Sequence, residues 1–180
     1  MNGKAKGSQF ERDVCKKLSL WISDGKNENL LWRSAMSGGR STVMNKSGKT
    51  NKEQAGDISA TGREGHDLID KFYIECKNYK DLGIDRFLIN ESCKLGKFWN
   101  EACKAAYKNE KQPMLIVKQN FFPELAIIWK SAIKYLLFTK RFPHTEIFSG
   151  IRDGEIIISK LDVILDSTKL NNKKAEIIVK

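Results

Sequence analysis

Phe72-Tyr73-Ile74-Glu75-Cys76-Lys77 is the stretch whose reading decides the fold. It is a short apolar run that ends by placing an acid and a base two residues apart. In a β-strand, side chains alternate between faces, so Glu75 and Lys77 project from one side about 6.6 Å apart while Ile74 and Cys76 face the other. One face is then chemical and the other is packing. Upstream, Gln54-Ala55-Gly56-Asp57-Ile58-Ser59-Ala60 reads as a second strand with an acid near its start. Turn-forming Thr61-Gly62 and Glu64-Gly65 separate the two. Paired as a hairpin, the segments would bring Asp57 close to Glu75 and Lys77.

Such a cluster suits metal-assisted phosphodiester chemistry. Two carboxylates meeting at one point repel each other and take up a proton unless a cation neutralises them. Mg²⁺ is the expected ion, with Mn²⁺ able to substitute, because Mg²⁺ prefers hard oxygen ligands from one or two carboxylates, water and substrate phosphate. The Lys77 ammonium would orient or help deprotonate the attacking water and stabilise charge building on the phosphate.

These residues resemble the PD-(D/E)XK nuclease superfamily, whose core reads as an Asp at a strand start followed by Glu-x-Lys on the next strand. Here that is Asp57, then Glu75-Cys76-Lys77, with Gly56 in place of the eponymous Pro. Lys6-Gly7-Ser8-Gln9-Phe10-Glu11-Arg12 is similar to the opening of the archaeal Holliday junction resolvase branch, where a helix-borne Glu joins the metal site. A strand ending in Arg33 and the Ser37-Gly38 pair extend the likeness, which runs from about Lys4 to Val117. The resemblance implies a restriction-endonuclease-like α/β core, α-β-β-β-α-β, with a mixed sheet flanked by helices. It implies metal ligation by Asp57, Glu75, the backbone carbonyl of Cys76 and Glu11, assistance by Lys77, and homodimers that cut branched DNA symmetrically.

A chain of 180 residues with 41% hydrophobic composition is long enough for a real core. Lys and Arg outnumber Asp and Glu by 32 to 22, a net charge of +10, and a polyanionic partner, nucleic acid first, explains that excess. No basic amphipathic helix with a bulky apolar face, no spanning run and no signal-peptide core is evident, so an intracellular protein without a membrane partner is expected. Cys15, Cys76, Cys93 and Cys103 include no C-x-x-C pair, and with only His66 and His144 beside them a zinc site is not expected.

The periodicity of Phe10, Val14, Leu18, Trp21 and Ile22 predicts a helix from about Ser8 to Ile22. Two readings of Glu11 compete. Ser8-x-x-Glu11 has the capping-box pattern, in which Glu11 only satisfies a free amide at the helix start; the resemblance instead sends it to the metal. Leu30 to Arg33 reads as a strand, and residues 34–54 form a long polar connection that holds Arg40, Lys46, Lys49 and Lys52. Connections of this length are usually functional or disordered. Beside a metal site the segment is placed to close over DNA and contact phosphates, so the expected DNA contacts are Lys6, Arg33, Ser37, Arg40, Lys46, Lys49 and Lys52. The bland alternative is a solvated loop. Gly48-Lys49-Thr50 is not a phosphate loop, because Val43 stands where that pattern needs glycine.

Beyond Lys77, a helix is expected from about Ile84 to Tyr107, with Phe87, Leu88, Leu95, Phe98, Trp99 and Ala102 packed on the sheet and Gly96 a weak point. Met114 to Val117 then reads as a strand pairing beside the Glu75 strand after a helical crossover. A division into a nuclease core at 1–118 and a C-terminal α+β extension at 119–180 follows. In the extension, residues 125–129, 155–159 and 176–179 read as strands and 130–138 as a short helix. The reading as a whole is a Mg²⁺-dependent DNA endonuclease, of a sort at home in a virus or mobile element. The alternatives are a restriction-like or general nuclease, and a nucleic-acid-binding protein on the same fold without catalysis.

Overall fold

The Glu75 segment is an eight-residue strand at the edge of a five-stranded mixed sheet. The computed structural model describes residues 3–34, 56–90, 92–141, 143–149 and 154–171. Its elements run α1 (Gly3–Ile22), β1 (Leu31–Arg33), β2 (Ile58–Ala60), α2 (Arg63–Ile69), β3 (Phe72–Tyr79), α3 (Ile84–Phe87), α4 (Lys94–Lys108), β4 (Gln112–Gln119) and β5 (Leu125–Trp129). A 3₁₀ turn (Lys130–Tyr135) then leads to β6 (Leu136–Phe138), β7 (Thr145–Ser149), β8 (Gly154–Lys160), α5 (Leu161–Ser167) and β9 (Thr168–Leu170). The large sheet has the order β3-β4-β5-β8-β7. β3 and β4 are parallel, in register from Phe72 opposite Gln112 to Tyr79 opposite Gln119, and the later pairings are antiparallel.

The alternation of β3 divides two cores. Phe72, Ile74 and Cys76, with Met114 and Ile116 of β4, pack against Phe10, Val14, Leu18 and Trp21 of α1. Leu115 and Val117 face the other way and pack with Phe87, Leu95, Trp99 and Cys103 of α3 and α4. Helices therefore cover both faces, and the buried β4, flanked by β3 and β5, is apolar throughout from Met114 to Val117, as a central strand must be. The mixed α/β architecture with flanking helices agrees with the expected fold class, and the crossover that sets Met114–Val117 beside the Glu75 strand is present. Among the described residues, no helix is long and apolar enough to cross a membrane.

Several local expectations are corrected. The hairpin between the Asp57 and Glu75 segments does not form. β2 pairs antiparallel with β1, and residues 63–69, read as part of a turn, form α2. The reason is burial: Leu68 and Ile69 are inaccessible to solvent and join the α1 core, which a loose turn would not allow. α1 begins at Gly3, so Ser8 lies inside the helix and is not a cap. The single helix from Ile84 is instead two, broken between Leu88 and Cys93 and not at Gly96, which is buried inside α4. In the break, the Asn90 side-chain carbonyl accepts a hydrogen bond from the Ser92 amide at 3.0 Å, a local turn that competes with helix, and Leu88 is exposed. Residues 130–138 are a 3₁₀ turn followed by β6, which pairs with β9. The strand read at 176–179 lies outside the described residues.

Candidate active site

Asp57 reaches β3 without belonging to a hairpin. Its amide donates to the Ile74 carbonyl at 3.0 Å, and its carbonyl accepts from the Ser34 amide at 2.8 Å, so one residue ties β3 to the end of β1. Its carboxylate then accepts a hydrogen bond from the Cys76 amide at 2.9 Å. Gly56 makes this approach possible: it holds φ at +102°, and a Cβ there would stand 2.6 Å from the Ile74 carbonyl oxygen. No other residue suits both the dihedral and the space. The glycine that departs from the family's Pro is thus a positioning residue that sequence reasoning passed over.

On β3, Glu75 and Lys77 share one face and form an ion pair. Tyr73 stands two residues earlier on the same face, and burial, then Glu75 and Asp57, raise its hydroxyl well above the ordinary range. Sequence reasoning missed Tyr73, although the same i, i+2 spacing that joined Glu75 to Lys77 pointed to it. The Lys77 ammonium also lies 5.3 Å from the centre of the Phe98 ring of α4. Burial pulls the Lys77 pKa down, but the charge and hydrogen bond of Glu75, with Asp57 behind them, outweigh it and the net shift is upward.

Glu11 projects from α1 and is bonded to the Arg33 guanidinium, with both side chains largely withdrawn from solvent. Since Ser8 is not the cap, the capping reading of Glu11 is gone, and the acid points toward the cluster: its charge contributes to the upward shift of Asp57. Of the seven residues expected on DNA, Arg33 is engaged with Glu11, and the Lys6 ammonium donates to the Asn120 side-chain carbonyl at 2.9 Å. Ser37, Arg40, Lys46, Lys49 and Lys52 lie outside the described residues.

The electrostatics single out Asp57. It is 7% exposed, and among the described residues no cation forms an ion pair with it. Burial first, then the neighbouring Glu75, push its pKa from 3.8 up to about 7, against the opposing Cys76 amide and Lys77. The nearby thiols are inert: burial, Glu11 and Asp57 push Cys15 to about 12, and all four cysteines are buried without a disulfide.

Among the described residues, no three acid, thiol or imidazole side chains converge closely enough to enclose an ion. The donor chemistry nevertheless fits a hard divalent cation. Asp57 is a buried carboxylate short of positive charge, Glu75 stands beside it, and a strand residue sends its N–H and C=O the same way, so the Cys76 carbonyl faces the open edge where its amide meets Asp57.

Comparison with known families decides the larger question. Residues 2–175 match the model of a family described as "Phage putative PDDEXK endonuclease". The chain belongs to that family. The match spans the C-terminal strands β5 to β9 as well as the part that carries Asp57, Glu75 and Lys77. Comparisons with curated proteins and with solved structures find no match. PDDEXK endonucleases generally use divalent metals and act on DNA.

Proposed function

We propose that this PDDEXK endonuclease is a Mg²⁺-dependent enzyme that hydrolyses DNA phosphodiester bonds at the edge of β3, with Mn²⁺ able to replace Mg²⁺. The observation that carries the reading is the way Asp57 is held on β3: its amide donates to the Ile74 carbonyl, its buried carboxylate accepts from the Cys76 amide, and no cation among the described residues pairs with it. Asp57, Glu75 and the Cys76 carbonyl would hold the ion, with Glu11 behind them. When bound, the metal polarises the scissile phosphate and lowers the pKa of a water.

The chain's own residues do the rest. Tyr73 lies beside Glu75 on the same face of β3. Lys77, held between Glu75 and the Phe98 ring, presents its ammonium to the charge that builds on phosphate and to the attacking water. Arg33 keeps the Glu11 carboxylate in place from β1. Arg40, Lys46, Lys49 and Lys52 contact DNA phosphates without reading sequence. The protein acts on branched DNA as a homodimer, by analogy with the resolvases that its opening residues resemble.

Cleavage of matched four-way junction, duplex and single-stranded DNA tests this with Mg²⁺, with Mn²⁺ and with chelator. Cutting that needs the metal and disappears in Lys77→Ala is expected. Binding without cutting under every condition would leave a nucleic-acid-binding protein on a nuclease fold.

A further inference from the structure

We infer that Phe121 is a stacking residue for an unpaired DNA base, so that the DNA cut at this site is open next to the scissile phosphate. The inference rests on the nuclease reading above and names its substrate class.

Phe121 sits in the turn that joins β4 to β5 and is fully exposed, at 104% relative accessibility. Its φ is +68°, a left-handed conformation that glycine or asparagine adopts readily and phenylalanine does not. A fold that needed only a turn would be served better by either. The ring is unfavourable twice over, in its exposure and in its backbone, and none of the described residues covers it.

The turn's place says what the ring is for. Gln119, the last residue of β4, lies opposite Tyr79, which is two residues past Lys77 on β3. The turn is therefore at the sheet end that Lys77 approaches. Asn120 beside Phe121 accepts a hydrogen bond from Lys6, which fastens the turn to the helix that also carries Glu11. Around Tyr79, which pairs with the last residue of β4, cations alternate with rings. Lys77 stands over Phe98, Phe98 stacks on Tyr79 at 5.3 Å, and the Lys94 ammonium lies 3.6 Å from the Tyr79 ring centre. Those rings are already occupied by one another and by lysines, whereas both faces of Phe121 are open.

A surface of ammonium groups and rings matches a strand of nucleic acid, phosphate to cation and base to ring. The chain's net charge of +10 favours that occupant over a second basic copy of the same chain. In a continuous duplex the base faces are covered by their neighbours. An exposed ring meets a free base face only at a branch, a flap or a single strand.

The test uses a four-way junction and a matched duplex, each carrying 2-aminopurine beside the branch point or its equivalent, with chelator present so that binding is read without cutting. Wild type, Phe121→Tyr and Phe121→Gly are compared. Glycine accepts a φ of +68°, so this variant should melt at the same temperature as wild type or above it. The stacking role predicts that wild type and Phe121→Tyr change the 2-aminopurine signal on the junction, that Phe121→Gly does not, and that the ratio of junction to duplex affinity falls about tenfold in Phe121→Gly. An unchanged ratio in Phe121→Gly would overturn the proposal, as would a wild-type dimer that Phe121→Gly dissociates while the ratio stays the same. Addition of Mg²⁺ or Mn²⁺ separates the two readings: a stacking signal from a protein that cuts nothing would sink the nuclease and spare the stacking residue.

Discussion

Two acid–base clusters on helix α1, at Lys17 and at Glu11, differ in a way that marks the site. Lys17 reaches Glu124 at 2.9 Å and Asp162 at 2.8 Å, in a cluster where Asp162 is 69% exposed. About two turns earlier, Glu11 meets Arg33 beside Asp57, Glu75 and Lys77. The ingredients are the same, acids and bases in alternation. In the Lys17 cluster each acid has a cation in contact, and the lysine's pKa rises because hydrogen bonds to Asp162 and Glu124 outweigh its burial. In the other, Asp57 is buried, its carboxylate accepts the Cys76 amide and has no ion-pair partner among the described residues, and its pKa climbs to about 7. Ion pairs are ordinary surface chemistry; a buried acid without a cation is a strained arrangement that a ligand would relieve.

The comparison is sharpened most by Asp57→Asn. Cleavage should fall about 10³-fold or more, since the change removes an oxygen proposed to bind the metal while leaving the shape. DNA affinity in chelator should persist. Retained cleavage would put the chemistry elsewhere.

A second effect concerns stability in the metal-free protein. The folded-state pKa of Asp57, about 7, lies above its ordinary 3.8, so the folded form holds the proton more tightly than the unfolded form. That contribution is complete below about pH 4 and is lost as pH rises through 7, up to about 4 kcal/mol. Denaturant titrations in chelator should show wild type weakening across this window and Asp57→Asn weakening less. Parallel curves for the two proteins would mean that the carboxylate is solvated after all.

Gly56→Ala comes next. The dihedral of +102° and the 2.6 Å approach to the Ile74 carbonyl make any side chain strained, at about 1–3 kcal/mol of stability. Because relief of that strain moves Asp57 off the Cys76 amide, cleavage should drop by more than the folded fraction does. Equal losses in the two measurements would reduce Gly56 to a structural residue. The smallest effect belongs to the other cluster: Asp162→Asn should cost less than about 1 kcal/mol in thermal unfolding and leave cleavage within twofold of wild type. A large loss of cleavage in that variant would erase the distinction between the clusters.

Much of this was legible in the residues. The alternation of Ile74 and Cys76 with Glu75 and Lys77 named the chemical face of β3, and the spacing of Phe10, Val14, Leu18 and Trp21 named the buried face of α1. Both are local, periodic signals. The α2 helix was not legible, because Gly62 and Gly65 read as turn residues and only the burial of Leu68 and Ile69 overrules them. Nor was the fate of Glu11, since a capping box is a matter of where a helix begins. The start of α1 at Gly3, ahead of Ser8, was enough to dissolve it.

By itself, then, the sequence determined the strand that carries the acid and the lysine, the helices that flank it and the positive charge that calls for a polyanion. These follow from side-chain pattern and composition, which need no partner across the fold. Tertiary structure alone decided that Asp57 docks on the open edge of β3 through Ile74 and Cys76, that Gly56 permits it, and that Arg33 is taken by Glu11. Each of these depends on groups brought together across about 17 to 22 residues, and a hydrogen bond between distant residues leaves no periodicity in the chain.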